Sequence, residues 1–78
     1  MPTVLRWKGN RFFWYVADGR EPPHVHIFRD DKECKIWLHG LSIAFNKGYT
    51  GSEMRALLAK TAEERASLLE IWHEQFGH

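Results

Sequence analysis

The chain has 78 residues, a formal net charge of +1 and one cysteine, Cys34. One small domain is therefore expected (residues 1–78), without an internal disulfide or a Cys/His zinc finger, and a reducing compartment suits it best. No run approaches the roughly 20 apolar residues of a membrane span, and no basic-then-apolar leader pattern is present, so a cytoplasmic protein with no membrane partner is expected. Residues 1–50 carry eight Lys/Arg against five Asp/Glu, and residues 51–78 carry three against five. The first part is the better face for an anion, but this excess is far below a nucleic-acid footprint.

In chain order, Thr3–Trp7 reads as a short strand and Lys8-Gly9-Asn10 as a turn, with Gly and Asn able to take positive φ. Arg11–Ala17 reads as a strand whose apolar residues do not alternate, as in a strand covered on both faces. Asp18 to Pro23 is a loop, held extended at Glu21 by the prolines. His24–Arg29 and Glu33–His39 form a hairpin. Val25 and Ile27 face one way with Cys34, Ile36 and Leu38; His24, His26 and Phe28 face the other with Glu33, Lys35, Trp37 and His39.

Matching the apolar sets constrains the register. A loop of Asp30-Asp31 sets His26 opposite Lys35 and His24 opposite Trp37. A loop of Asp31-Lys32, or of Asp30 to Glu33, sets His26 opposite Trp37 and His24 opposite His39. In either case the histidines join a polar–aromatic face exposed to solvent.

Leu41–Phe45 reads as a short edge strand within a connector ending at Gly48. Thr50-Gly51-Ser52-Glu53 is a capping box. Met54, Leu57, Leu58, Leu68, Leu69, Trp72 and Phe76 follow at helical spacing, and Gly77 ends the run. Thr61-Ala62-Glu63-Glu64 is a second capping box, which permits two helices. The unbroken phase favours one arm, bent near 60–61. The fold class is α+β: an antiparallel sheet of three to five strands (within 1–48), then a helical part over 50–76. Such an arm would outrun a small sheet, which points to self-association or a partner protein at its far end.

His24-x-His26 is the sharpest chemical feature. Alternate strand residues share a face about 6.6 Å apart. That suits general acid–base catalysis on RNA, or two ligands of a divalent transition metal with His39 or Glu21 as a third. An exposed pair with a purely structural role is the bland alternative. Arg6, Arg11, Lys35 and Trp37 add cations and an aromatic platform, the elements of single-stranded RNA binding. Gly48-Tyr49-Thr50-Gly51-Ser52 lacks the lysine of a phosphate-binding loop and reads as a loop and cap.

Pro2-Thr3-Val4-Leu5-Arg6, Arg11-Phe12-Phe13-Trp14-Tyr15, Glu21-Pro22-Pro23-His24-Val25-His26, Lys35-Ile36-Trp37-Leu38 and the terminal Trp72-x-x-x-Phe76 together resemble the bacterial domain-of-unknown-function family 4160. The resemblance implies no established activity. It implies a component of a small two-gene module of toxin–antitoxin type, with Glu21, His24, His26, Lys35 and Trp37 as hallmark positions. His39 is not among them. Three functions are carried forward. The first is a binding component of such a module, preferred because binding demands fewer coincidences than catalysis. The second is an RNA-cleaving enzyme using His24 and His26, with Arg6, Glu21, Lys35 and Trp37 around the substrate. The third is a metal-binding protein using His24, His26 and His39.

Overall fold

A computed structural model describes residues 3–78. Pro2, the first residue of the resemblance, lies outside them. Five strands form one antiparallel meander, β1 (Thr3–Trp7), β2 (Asn10–Phe13), β3 (His24–Arg29), β4 (Lys32–Trp37) and β5 (Ser42–Lys47), paired in chain order. One helix follows, α1 (Gly51–Phe76). The α+β architecture expected from the sequence is the one present.

Lys8 and Gly9 connect β1 to β2 with φ of 50° and 80°. Positive φ at both central residues lets the turn twist with its strands. Asn10, expected in the turn, is instead the first residue of β2. Its side-chain amide donates to the carbonyls of Trp7 (3.1 Å) and Lys8 (3.4 Å) and accepts from the Tyr49 hydroxyl (2.8 Å). The β3–β4 loop is Asp30-Asp31, which sets His24 opposite Trp37, Val25 opposite Ile36 and His26 opposite Lys35. The first of the two registers is thus adopted. It places Val25, Ile27, Cys34, Ile36 and Leu38, all fully buried, on one face.

That face is covered by α1. Phe12, Trp14 and the β3–β4 apolar set pack against Met54, Leu57, Leu68 and Trp72. Helix and sheet are also tied by Arg65, whose Nε donates to the Leu38 carbonyl (2.7 Å) and whose Nη2 donates to that of His39 (3.2 Å). The capping box forms as expected: the Glu53 amide donates to Thr50 Oγ1 (3.1 Å) and the Thr50 amide to Glu53 Oε1 (2.9 Å). Gly77 closes the helix at φ 77°. The second capping box does not break it, because buried Thr61 uses its hydroxyl to donate to the Leu57 carbonyl at 2.7 Å. A serine or threonine can bond this way without leaving the helix. No helix among the described residues is long and apolar enough to cross a membrane.

The expected strand Arg11–Ala17 is corrected. β2 stops at Phe13, and Val16–Arg20 is a 3₁₀ segment. The cause is local: Asp18 Oδ2 accepts from the Tyr15 amide (2.8 Å) while the Asp18 amide donates to the Tyr15 carbonyl (3.0 Å). A short acidic side chain thereby offers the backbone an alternative to the ladder. Trp14, released from the sheet, is fully buried; its ring centroid lies 5.1 Å from that of Trp72, and its indole N–H donates to Gln75 Oε1 (2.9 Å). A Cβ on Gly19 would collide with the Phe76 ring, so only glycine permits this approach. The far end of the helix, expected to outrun the sheet, is therefore met by Trp14 and Gly19 of the same chain.

Cys34 lies in the core, where burial pushes its thiol up to about 12; burial likewise pushes the Tyr49 hydroxyl up to about 12. The folded state thus holds protons that the unfolded chain releases near its ordinary values of 9.0 and 10.0. This contribution to stability is complete below about pH 9 and is lost as pH rises toward about 12. Urea midpoints should fall across that window, and Cys34→Ala should remove the earlier part of the fall. At pH 8 a thiol reagent should label Cys34 only on unfolding; rapid labelling of the native chain would contradict the burial.

Candidate functional site

His24 and His26 share the face of β3 opposite the one that carries Val25 and Ile27. Backbone alternation places them there, and the centroids of their rings are 5.2 Å apart. The expectation that both face solvent is corrected: His24 is fully buried and His26 is 8 % exposed. The physical reason is the 3₁₀ segment. It folds back over the sheet and brings Asp18 onto both rings, while the end of α1 brings Trp72 within 5.2 Å of His24.

One carboxylate oxygen organises the cluster. Asp18 Oδ2 lies 3.1 Å from His26 Nε2 and 3.2 Å from His24 Nε2. His26 Nε2 donates a hydrogen bond to it. His24 Nδ1 donates to the Pro22 carbonyl at 2.9 Å; a carbonyl only accepts, so this nitrogen carries the proton. His24 Nε2 is then turned toward Asp18, buried and without a hydrogen-bond partner. His26 Nδ1 is also without one, 3.6 Å from Glu33 Oε2.

Burial of Asp18 favours its neutral form. It is outweighed by the Tyr15 amide and the two imidazoles, so the carboxyl is held below its usual range and ionised. Burial lowers the His26 pKa, against the opposing pull of Asp18, and favours the neutral ring. Phe13 stacks beneath His26 with centroids 5.4 Å apart, and Tyr15 meets its edge at 5.3 Å.

Glu21, Lys35 and Trp37 assemble beside His24. Lys35 Nζ donates to Glu21 Oε1 and lies 4.5 Å from the Trp37 ring centroid; this bond holds the Glu21 carboxyl below its usual range. Glu21 Oε1 is 3.7 Å from His24 Nδ1. Arg6 is placed apart, on β1 opposite Arg11 and exposed. His39 is exposed beyond the end of β4 and is outside the cluster of donor atoms; the third member there is Asp18. Sequence reasoning missed Asp18 because strand periodicity says nothing about a loop side chain. The available signal was an Asp-Gly pair, able to turn the chain back, shortly before the Pro-Pro constraint.

Two imidazole nitrogens and a carboxylate oxygen within 4.8 Å of one another can trade protons or hold one metal ion. Around them, the sheet face is aromatic and basic. Fold and site together define a small α+β domain in which a five-stranded meander carries a helix on one face and a histidine–carboxylate cluster on the other. Residues 9–73 match the family described as Domain of unknown function (DUF4160), and the chain belongs to that family. No curated protein and no solved structure matches it.

Proposed function

We propose that the chain is the binding component of a two-gene, toxin–antitoxin-like module, and that it holds a small partner protein on the helix-free face of its sheet. The module is what the family resemblance implies. The observation supporting a binding role is the group Tyr15, Phe28 and Phe45, which are 42 %, 39 % and 41 % exposed around the His26 position. Large aromatics gathered on one face, with Arg11 and Lys35 between them, have the composition of an interface core and rim. Every residue of the edge strand β5 is also exposed, so its free backbone groups can extend the contact.

RNA cleavage by His24 and His26 is ranked second. Such a reaction needs both imidazoles at the scissile phosphate, and only His26 reaches the surface. Co-expression with the neighbouring gene product tests the first reading. A stable complex is expected, weakened about tenfold or more by Phe45→Glu or Phe28→Glu, with unchanged thermal melting of the free chain. A chain that ignores that neighbour, or a complex indifferent to both substitutions, would overturn it. RNA cleavage lost in His26→Ala would favour the second reading instead.

A further inference from the structure

Beyond partner binding, we infer that Asp18, His24 and His26 form a mononuclear site for a first-row divalent cation, bound through Asp18 Oδ2, His24 Nε2 and His26 Nε2. The inference starts from the buried nitrogen. His24 is fully buried, its Nδ1 proton is committed to the Pro22 carbonyl, and its Nε2 has no hydrogen-bond partner. A backbone carbonyl that fixes the tautomer in this way is the usual outer-shell arrangement of a metal-binding histidine. Asp18 Oδ2 is only 3.2 Å away, so this nitrogen and the carboxylate face each other across a gap that a proton or a cation can bridge. With the Nδ1 proton committed to Pro22, a cation between Nε2 and the carboxylate would satisfy both atoms at once.

The two distances to Asp18 fit an ion, and all three ligand atoms lie within 4.8 Å of one another, so a modest inward turn of the imidazoles completes the set. Ligand atoms about 2.0–2.2 Å from a common zinc-sized cation stand roughly 3.0–3.5 Å apart. Asp18 Oδ2 is 3.1 Å and 3.2 Å from the two Nε2 atoms. His26 Nε2 donates to Asp18 when no ion is bound. Coordination requires that proton to leave Nε2. The ring can instead carry a proton on Nδ1, which has no other partner and faces Glu33 Oε2 at 3.6 Å. Glu33 would then be a positioning residue for His26. Two imidazoles and one carboxylate suit zinc and its first-row neighbours better than calcium or magnesium, and three protein ligands leave a coordination position open. The cation would fasten the 3₁₀ segment to β3.

The test uses the full chain, free of any affinity tag and stripped with chelator, titrated with Zn²⁺ by calorimetry and with Co²⁺ by visible absorption. One ion per chain is expected. Excess Zn²⁺, at about a hundredfold over its Kd, should raise the melting temperature by roughly 10 °C or more. Asp18→Asn and His26→Ala should each weaken binding at least a hundredfold, Glu33→Gln about tenfold, and His39→Ala not at all. Imidazole ¹⁵N spectra of the unmutated chain give a readout independent of variant folding: Zn²⁺ should shift both Nε2 resonances of His24 and His26 and leave His39, His73 and His78 in place. Uptake below a tenth of an equivalent, binding that survives both ligand substitutions, or ¹⁵N shifts at other histidines alone would overturn the site. Failure of metal binding would leave the partner complex to be decided by the Phe28→Glu and Phe45→Glu variants.

Discussion

Trp72→Ala is expected to cost about 3–5 kcal/mol, as loss of a fully buried large aromatic does. Few substitutions in this chain should do more. Trp72 is fully buried and joins three parts of the molecule. Its ring centroid lies 5.1 Å from that of Trp14, 4.5 Å from Phe76 and 5.2 Å from His24. Removing it opens a cavity where the helix end, the segment leaving β2 and the first residue of β3 all meet. Domains of this size have about 5–15 kcal/mol of stability at most, and small ones lie at the low end. The variant should therefore be largely unfolded at 37 °C. Ile71→Ala, one residue away but 37 % exposed, should change stability by under about 1 kcal/mol. Urea denaturation of both variants checks the pair; equal losses would mean that the helix end does not rest on the sheet as described.

The second large effect belongs to Asp18. Its carboxylate is the acceptor for the Tyr15 amide at 2.8 Å and for His26 Nε2 at 3.1 Å. Asp18→Ala leaves the part-buried imidazole donor without a partner, at about 1–3 kcal/mol, and also removes the bond that shapes the 3₁₀ segment. Asp18→Asn retains one acceptor oxygen and should cost less. The loss should be local as well as global: the Tyr15 amide should exchange its hydrogen faster, and the Trp14 ring should gain mobility. A stability change under about 0.5 kcal/mol with unchanged Tyr15 exchange would show that the carboxylate does not hold this segment.

The proposed binding face and the proposed metal site meet at His26, which lies 5.3 Å from Tyr15 and 6.4 Å from Phe45 by ring centroid, so occupancy of one can influence the other. An ion on Asp18 and the histidines would hold Tyr15 in place through the 3₁₀ segment, and Tyr15 is part of the aromatic group offered to a partner. Measuring the complex with and without Zn²⁺ would report that coupling directly.

Much of the architecture was legible in the chain because period-2 and period-3.6 patterns are local properties. Val25 and Ile27 alternate with His24 and His26, and the apolar residues of the helix recur between two recognisable caps. These patterns gave the β3–β4 hairpin, the helix and the shared face of the histidines. The end of β2 was not legible. Phe13, Trp14 and Tyr15 have strand-forming side chains, and only a bond between Asp18 and Tyr15 shows that the chain turns away after Phe13. The burial of the histidines was hidden for the same reason, since alternation identifies a face but not what folds over it.

The sequence by itself determined the fold class, the helix with its caps, the inward apolar set and the side-by-side placement of His24 and His26. Each follows from neighbours a few residues apart. Tertiary structure alone decided that Asp18 completes the histidine pair, that His39 stands outside it, and that the far end of the helix rests on Trp14 and Gly19. Those contacts join residues distant in the chain, and they depend on the return path of one short 3₁₀ segment, whose conformation is set by side-chain bonds and packing that no periodicity encodes.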